Sequence, residues 1–272
     1  MWVWTFFFFV FWGTGRRTVM RNLRTIVPGS TAVGNFFRAY RVFLEFAWTF
    51  TDSAQFLERQ IGFDWEFEGY EHLNSISQSS VGGIVLTAHM GNYDLGSYIF
   101  ARRLNRTITT IRAPEIDPES HAYSAAQREK LGGRFRVLYN TDPTSLAYQL
   151  VEAISEGQVV AIQGDRALPG VPAREVELFG VRTKLPVGPF ALAMATRTTL
   201  QPMFIVRVGR RRYRVIASRP IECKRESGLS KDDAIAAAMG EWVIALESVI
   251  SRHWYQWFAF EPFATPEEAG HA

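Results

Sequence analysis

The chain has 272 residues, of which 47% are hydrophobic and 21% charged, with a formal net charge of +3. That balance excludes intrinsic disorder, and the length supports a sizeable core, most simply one large α/β domain over residues 31–264. The single cysteine, Cys223, excludes an internal disulfide framework and a cysteine-based zinc site.

Residues 1–30 read as a membrane-associating segment. Met1 to Trp12 (MWVWTFFFFVFW) is almost wholly apolar and aromatic. It is too short for a standard membrane span of about 20 residues. No basic stretch precedes it and no clear cleavage site follows, which makes it a poor signal peptide. Trp and Phe followed by Arg16, Arg17, Arg21 and Arg24 suit an anionic membrane interface. A buried amino-terminal helix and the remnant of a longer anchor are the other readings. Residues 33–60 predict a helix or helix pair rich in aromatics, among them Phe36, Phe37, Tyr40, Phe43, Phe46, Trp48 and Phe50. Without a sustained heptad they are core or membrane-facing surface, not a coiled coil.

The middle of the chain alternates strand and helix. Strands are expected at 83–89, 107–112, 135–139 and 158–164, and helices at 93–104, 118–131 and 144–156. This rhythm predicts a mixed, mostly parallel sheet with helices on its faces. The first strand runs directly into His89, and Asn92 is a plausible cap for the helix that follows. His89 then stands at the carboxyl end of a strand, where open α/β sheets place their chemistry. Asp94 follows five residues later. If His89 is still in the turn and Asp94 in the first helical turn, the carboxylate can orient one ring nitrogen. The other nitrogen is then free to take a proton from a hydroxyl. Gly91 and Gly96 flank the turn and would allow a ligand to approach closely. A purely structural His–Asp pair is the alternative.

Gln158 to Asp165 (QVVAIQGD) is another strand ending in polar residues. Glu175–Phe179 and Val181–Leu185 predict a hairpin about Gly180, and a helix follows over Val187–Arg197. Pro202–Val208 and Tyr213–Ser218 are late strands around an arginine-rich turn. That cluster (Arg207, Arg210, Arg211, Arg212 and Arg214) is either an anion-binding patch or a solvated turn. Lys231–His253 is an amphipathic helix, followed by the aromatics Trp254, Trp257, Phe258 and Phe260. Residues 265–272 read as a flexible tail. No nucleic-acid motif is present, so that partner is disfavoured. Cys223 reads as a packed thiol more readily than as a nucleophile. The five histidines show no metal-ligand spacing.

The order of these blocks resembles the bacterial lipid A biosynthesis acyltransferases, within the lysophospholipid acyltransferase superfamily. The likeness rests on RTVMRNLRTIVP at 17–28 and on TAHMGNYDLG at 87–96, which looks like the superfamily's H-x4-D motif. Ile111-Arg112-Ala113-Pro114, Arg128, Gly132-Gly133, the GDRALPG loop and Leu185-Pro186-Val187-Gly188-Pro189 continue it in order.

The resemblance implies acyl transfer from a thioester, on acyl carrier protein or coenzyme A, to a hydroxyl of a membrane glycolipid such as a lipid A precursor. His89 would be the general base and Asp94 its orienting partner, with no covalent acyl-enzyme, no cofactor and no metal. Backbone amides at the helix start, or Arg128, would stabilise the oxyanion. Arg112 and Arg128 would hold phosphates, or be surface charge. Asp165 would orient sugar hydroxyls, or close its loop with Arg166. Asn92 would contact substrate or simply cap the helix. The implied location is the cytoplasmic face of the bacterial inner membrane, held peripherally or by a single anchor on anionic lipid. Acylation of another glycolipid, such as a phosphatidylinositol mannoside, stays open, as do hydrolysis by the same His–Asp pair and a non-enzymatic lipid-binding role.

Overall fold

The computed structural model describes residues 1–59, 61–73, 76, 81–113, 134–224, 228 and 230–264. The expected helix at 118–131, Arg128, Gly132-Gly133 and the tail 265–272 lie outside them.

Three helices open the chain: α1 (Trp2–Phe11), α2 (Gly13–Ile26) and α3 (Ala32–Arg59). The α/β body follows as β1 (Asp64–Glu68), β2 (Gly83–Thr87), α4 (Tyr93–Leu104), β3 (Ile108–Arg112), β4 (Phe135–Tyr139), α5 (Pro143–Ser155) and β5 (Val159–Gln163). The hairpin β6 (Ala173–Leu178) and β7 (Val181–Pro186) precedes α6 (Gly188–Thr196). Strands β8 (Leu200–Gly209) and β9 (Arg212–Ala217) and the long helix α7 (Lys231–His253) complete the fold.

The main sheet has seven strands in the order β1-β9-β8-β2-β5-β3-β4. Every neighbouring pair is parallel except β8 with β9. The mixed, mostly parallel architecture is therefore as expected. All five residues of β2 are buried, as a central strand covered on both faces requires. Alternation sends Ile84 and Leu86 into the larger core, shared with α6 and α7, and Val85 into a second core beneath α4.

Strand β1 escaped the sequence reading. Its five residues, DWEFE, are acidic and at most half-buried, so no apolar run marks them. They are held as an edge strand by parallel pairing with β9 and by Trp65 and Phe67, which pack against the second core, with ion pairs on the exposed side. Arg214 lies 2.8 Å from Glu66, Arg212 pairs with Glu66 as well, and Arg252 lies 2.7 Å from Glu68. Arg207 pairs with Glu45 at 3.3 Å and Asp52 at 3.4 Å. Three arginines of the late cluster are thus internal ion-pair partners, which removes them from any free anion-binding patch.

The aromatic-rich span expected as a helix or helix pair is the single helix α3, Ala32–Arg59. Helix α1 packs one stripe on it: Phe9 is 1% exposed and its ring meets Phe36, Tyr40 and Phe43 at 5.1–5.4 Å. Burying Phe9 contributes on the order of 2 kcal/mol. The rest of α1 faces outward, with Trp2, Trp4 and Phe11 all well exposed. Only α7 is long and apolar enough to cross a membrane, among the described residues. Its Ile235, Met239, Trp242, Leu246 and Ile250 are buried in the main core, so it is the central helix of the body.

Candidate active site

The turn from β2 into α4 is pinned on three sides. The amide of Gly91 donates to the carbonyl of Gln256, that of Asn92 to Ile205, and Phe258 donates to the carbonyl of His89. Gly91 has φ +54°, and a Cβ there would sit 1.7 Å from the Ile205 carbonyl oxygen. At Gly96 a Cβ would sit 1.6 Å from Cδ1 of Ile205. The close approach these glycines permit is therefore to β8 of the protein itself, not to a ligand.

His89 meets Asp165 rather than Asp94. Nδ1 of His89 lies 2.8 Å from Oδ1 of Asp165. The cause is strand register. Strands β2 and β5 are parallel neighbours, with Thr87 opposite Gln163. His89 and Asp165 each follow two positions later on adjacent loops. The amide of Gly164 donates to the Thr87 carbonyl at 2.8 Å and keeps the two loops together. Asp165 is fully buried, and its second oxygen accepts from Trp257 Nε1 at 2.9 Å and Arg166 Nη2 at 3.4 Å. Burial alone would raise its pKa. His89, Arg166 and the Trp257 indole outweigh burial and hold the carboxyl well below the usual carboxylate range. An ionised Asp165 places the imidazole proton on Nδ1 and leaves Nε2 as acceptor. The side chain of His89 is 29% exposed, so the ring is reachable while its anchor is not.

Asp94 lies in the first turn of α4, and its Oδ1 is 2.5 Å from Nη2 of Arg112 at the end of β3. Tyr93 stands edge-on to the His89 ring, centroids 6.0 Å apart. Its hydroxyl bonds Gln163, and burial pushes its pKa up to about 12. Asp94 thus neutralises Arg112 instead of orienting the histidine.

Asn92 is 1% exposed and its amide is fully used. Oδ1 accepts from the Leu95 amide at 3.1 Å and Ser53 Oγ at 2.9 Å; Nδ2 donates to the Thr49 carbonyl at 3.1 Å and Tyr213 Oη at 3.4 Å. Two donors and two acceptors are all that a carboxamide has. Asn92 caps and braces the loop and has nothing left for substrate. The brace extends inward: Tyr213 donates to Asp52 at 2.7 Å, and Gln256 exchanges two 2.7 Å bonds with the backbone of Arg207. Burial, with Asp52 adding, pushes the Tyr213 phenol far above its ordinary value.

Asp165 is arranged for the second of its two expected roles, closing its loop with Arg166. Both carboxylate oxygens serve the protein, and Arg166 donates to the Phe258 carbonyl at 3.1 Å. Arg166 retains 23% exposure of its side chain and can still touch a ligand. The helix-start amides of Met90, Gly91, Asn92, Leu95 and Gly96 are committed to protein acceptors. These five cannot serve as oxyanion donors, and the expected role falls to the amides of Tyr93 and Asp94, the first two of α4. Cys223 is buried, and burial pushes its thiol up, which makes it inert.

Beneath α4 a narrow apolar cavity of about 30 Å³ lies between Thr87 and Tyr93 at one end and Leu73, Leu104 and Ile108 at the other. Its walls include Val85, Phe100, Ala161, Met203 and Ile205. Sequence periodicity indicated that these residues were core. Only the packing of α4 on the sheet shows that a void remains between them. Trp257, Gln256 and Tyr213 carried no local signal for the site. For Asp165 the signal existed: a second carboxylate at a strand end matching that of His89.

A family model described as bacterial lipid A biosynthesis acyltransferase matches residues 5–262. A phosphatidylinositol mannoside acyltransferase from Mycobacterium tuberculosis (strain CDC 1551 / Oshkosh) is 32% identical over 151 residues, 55% of this chain and 44% of that protein. Its counterpart from Mycolicibacterium smegmatis is 29% identical over 137 residues, 49% of this chain and 43% of that protein. The matches span less than half the length of these curated relatives.

Proposed function

The chain belongs to the bacterial lipid A biosynthesis acyltransferase family, and on that premise we propose that it moves a fatty acyl group from a thioester donor to a hydroxyl of a membrane glycolipid. The observation that carries this reading is the His89–Asp165 pair at the carboxyl ends of β2 and β5, with the carboxylate buried and the ring reachable from solvent. We place the acyl chain among the apolar residues beneath α4, which begin at Tyr93 next to the His89 ring; the space between them is about 30 Å³, so the chain would enter by displacing their side chains.

In the proposed mechanism the acceptor hydroxyl donates to Nε2 of His89. As its oxygen attacks the thioester carbonyl carbon, the proton passes to Nε2. Asp165 stabilises the resulting imidazolium. The tetrahedral oxyanion collapses, the C–S bond breaks, and the imidazolium returns its proton to the departing thiolate. A positioned base of this kind contributes about 10²–10⁴ in rate. The acyl group passes directly to the hydroxyl, in keeping with a buried, raised-pKa Cys223 that offers no nucleophile. Acyl carrier protein and coenzyme A are both suitable donors. A lipid A precursor and a phosphatidylinositol mannoside are both suitable acceptors.

The protein would work at a membrane surface. The outward aromatics of α1 and the exposed Phe37 and Phe50 of α3 support an interfacial mode, as do the arginines of α2. Because α1 is packed on α3, we read this as peripheral attachment, at the cytoplasmic face of a bacterial inner membrane where thioester donors are made.

The test is reconstitution with palmitoyl-CoA or palmitoyl-acyl carrier protein and either glycolipid in detergent micelles, read by mass spectrometry. Wild type should acylate one of the glycolipids and His89→Ala should lose at least about 10²-fold. Equal rates in the two proteins would overturn the mechanism.

A further inference from the structure

Residues 256–258 bond to both loops of the His89–Asp165 pair. The Gln256 carbonyl accepts from the Gly91 amide at 2.9 Å, and the Phe258 amide donates to the His89 carbonyl at 2.9 Å. From the same three residues, Trp257 Nε1 donates to Oδ2 of Asp165 at 2.9 Å, and the Phe258 carbonyl accepts from Arg166 at 3.1 Å. One short segment therefore sets the separation of the two loops and the direction of the carboxylate. His89 takes Oδ1 and the indole takes Oδ2, so a partial rotation of the carboxylate lengthens both bonds. Hydrogen bonds to an ionised acceptor are among the strong ones, which makes the indole a firm restraint.

The far side of this segment belongs to the amino-terminal helices. Extended backbone sends alternate side chains to opposite faces. Trp257 and Ala259 enter the main core, while Phe258 joins the cluster of Phe9, Leu23 and Phe43, with Phe260 packed against it. The Phe258 ring lies 5.1 Å from that of Phe46, and the Phe260 ring 5.0 Å from Trp12 and 5.2 Å from Phe43. Asn22 of α2 locks the arrangement. It is 5% exposed, and its Nδ2 donates at 2.9 Å to the carbonyls of both Ala259 and Glu261. Those are the only two donors a carboxamide has. Asn22 stands in the RTVMRNLRTIVP block, and its amide is spent on the segment that carries Trp257.

We propose that residues 256–261 act as a strap, with Asn22 and Trp257 as positioning residues. Asn22 holds the strap on α2, and Trp257 fixes the carboxylate of Asp165 that directs Nδ1 of His89. Neither needs to touch substrate. The proposal rests on the acyl-transfer reading above and deepens it. It places the aim of the base under the control of the amino-terminal helices, the elements read above as lipid-facing. A misplacement of about 1 Å at a reacting group costs on the order of 10²-fold in rate, so slight slack in the strap is readable in kcat.

The Nδ1 proton of His89 reports the carboxylate directly. In wild type in detergent micelles its NMR signal should stand far downfield, as a proton held against an ionised carboxylate does, and His89→Ala assigns it by its loss. Trp257→Phe keeps most of the ring's packing and removes the N–H. Asn22→Leu keeps the side chain's size and removes both donors; Asn22→Ala takes its place should that variant not fold. In both folded variants the signal should move upfield or broaden away. With palmitoyl-CoA and the glycolipid that wild type acylates, kcat should fall about 10–10²-fold in Trp257→Phe and about tenfold in the Asn22 variant, with both KM values within about twofold of wild type. A merely structural role would lower the melting temperature and leave the signal in place. That result, or a wild-type signal in either variant, overturns the proposal. A lost signal with unchanged kcat also overturns it, because the positioning would then not serve the reaction. A wild type that acylates neither glycolipid overturns the transfer reading, and the strap is then judged on the proton signal alone.

Discussion

Asp165 reaches His89 across two adjacent loops, Oδ1 to Nδ1 at 2.8 Å, from the same offset beyond facing residues of parallel strands. The carboxylate that orients the ring is therefore 76 residues away in sequence, and the nearby Asp94 serves Arg112.

Asp165→Asn should lower kcat by about 10³–10⁴, because the amide favours the wrong imidazole tautomer and cannot stabilise the imidazolium. Asp94→Asn and Arg112→Ala should resemble each other, and the double variant should lose no more than the worse single one. Steady-state kinetics of the four proteins checks this. Additive losses at Asp94 and Arg112 would show that the two act separately.

The acid limb of stability should report Asp165. Its folded pKa is held below the ordinary carboxylate value, chiefly by His89 against the opposing effect of burial. The stability it contributes is therefore fully present above the unfolded pKa of about 3.9 and is lost as pH falls toward the lower folded value. Urea denaturation between pH 6 and pH 3, pH values chosen for the measurement, should show a flatter acid limb in Asp165→Asn than in wild type.

Tyr213→Phe should destabilise the fold by about 1–3 kcal/mol. It removes the 2.7 Å donor to buried Asp52 and the acceptor for one Asn92 amide proton. Chemical denaturation measures the loss. Because Asn92 braces the His89 loop, kcat should fall with acceptor and donor KM little changed. A stability loss with unaltered kcat would confine the brace to folding.

Ala161→Leu should shift donor preference toward shorter acyl chains, since the added carbons occupy the apolar cavity where β5 lines it. Competition among acyl-CoA donors of graded length reads the shift. An unchanged preference would place the chain elsewhere.

Trp4→Glu with Phe11→Glu should release the protein from anionic vesicles with no change in melting temperature. Both side chains are exposed, at 79% and 81%, so they contribute little to the fold. Deleting α1 entirely is a poorer experiment, because Phe9 would leave its seat on α3. Sedimentation with vesicles is the measurement.

Local pattern carried much of this protein. Apolar runs and helical spacing placed β2, α4, β3, β4, β5, the hairpin and α7 close to their observed limits, because burial on one or two faces leaves a period that neighbours in sequence share. The same logic put His89 at a strand end. It missed β1, where Trp65 and Phe67 alternate with acidic residues over only five positions and the pairing strand β9 lies more than a hundred positions away.

Tertiary structure decided the partners. Spacing suggested Asp94 for His89, since a turn and one helical step bring them near, but helix α4 carries Asp94 toward Arg112. Strand register, a property of two distant segments together, delivers Asp165 instead. The same holds for Asn92, whose four hydrogen bonds come from α3, β9 and its own helix. The sequence by itself determined which residue could act as a base and in what kind of fold. Only the pairing of β2 with β5 decided which carboxylate holds it, because register acts across the sheet and not along the chain.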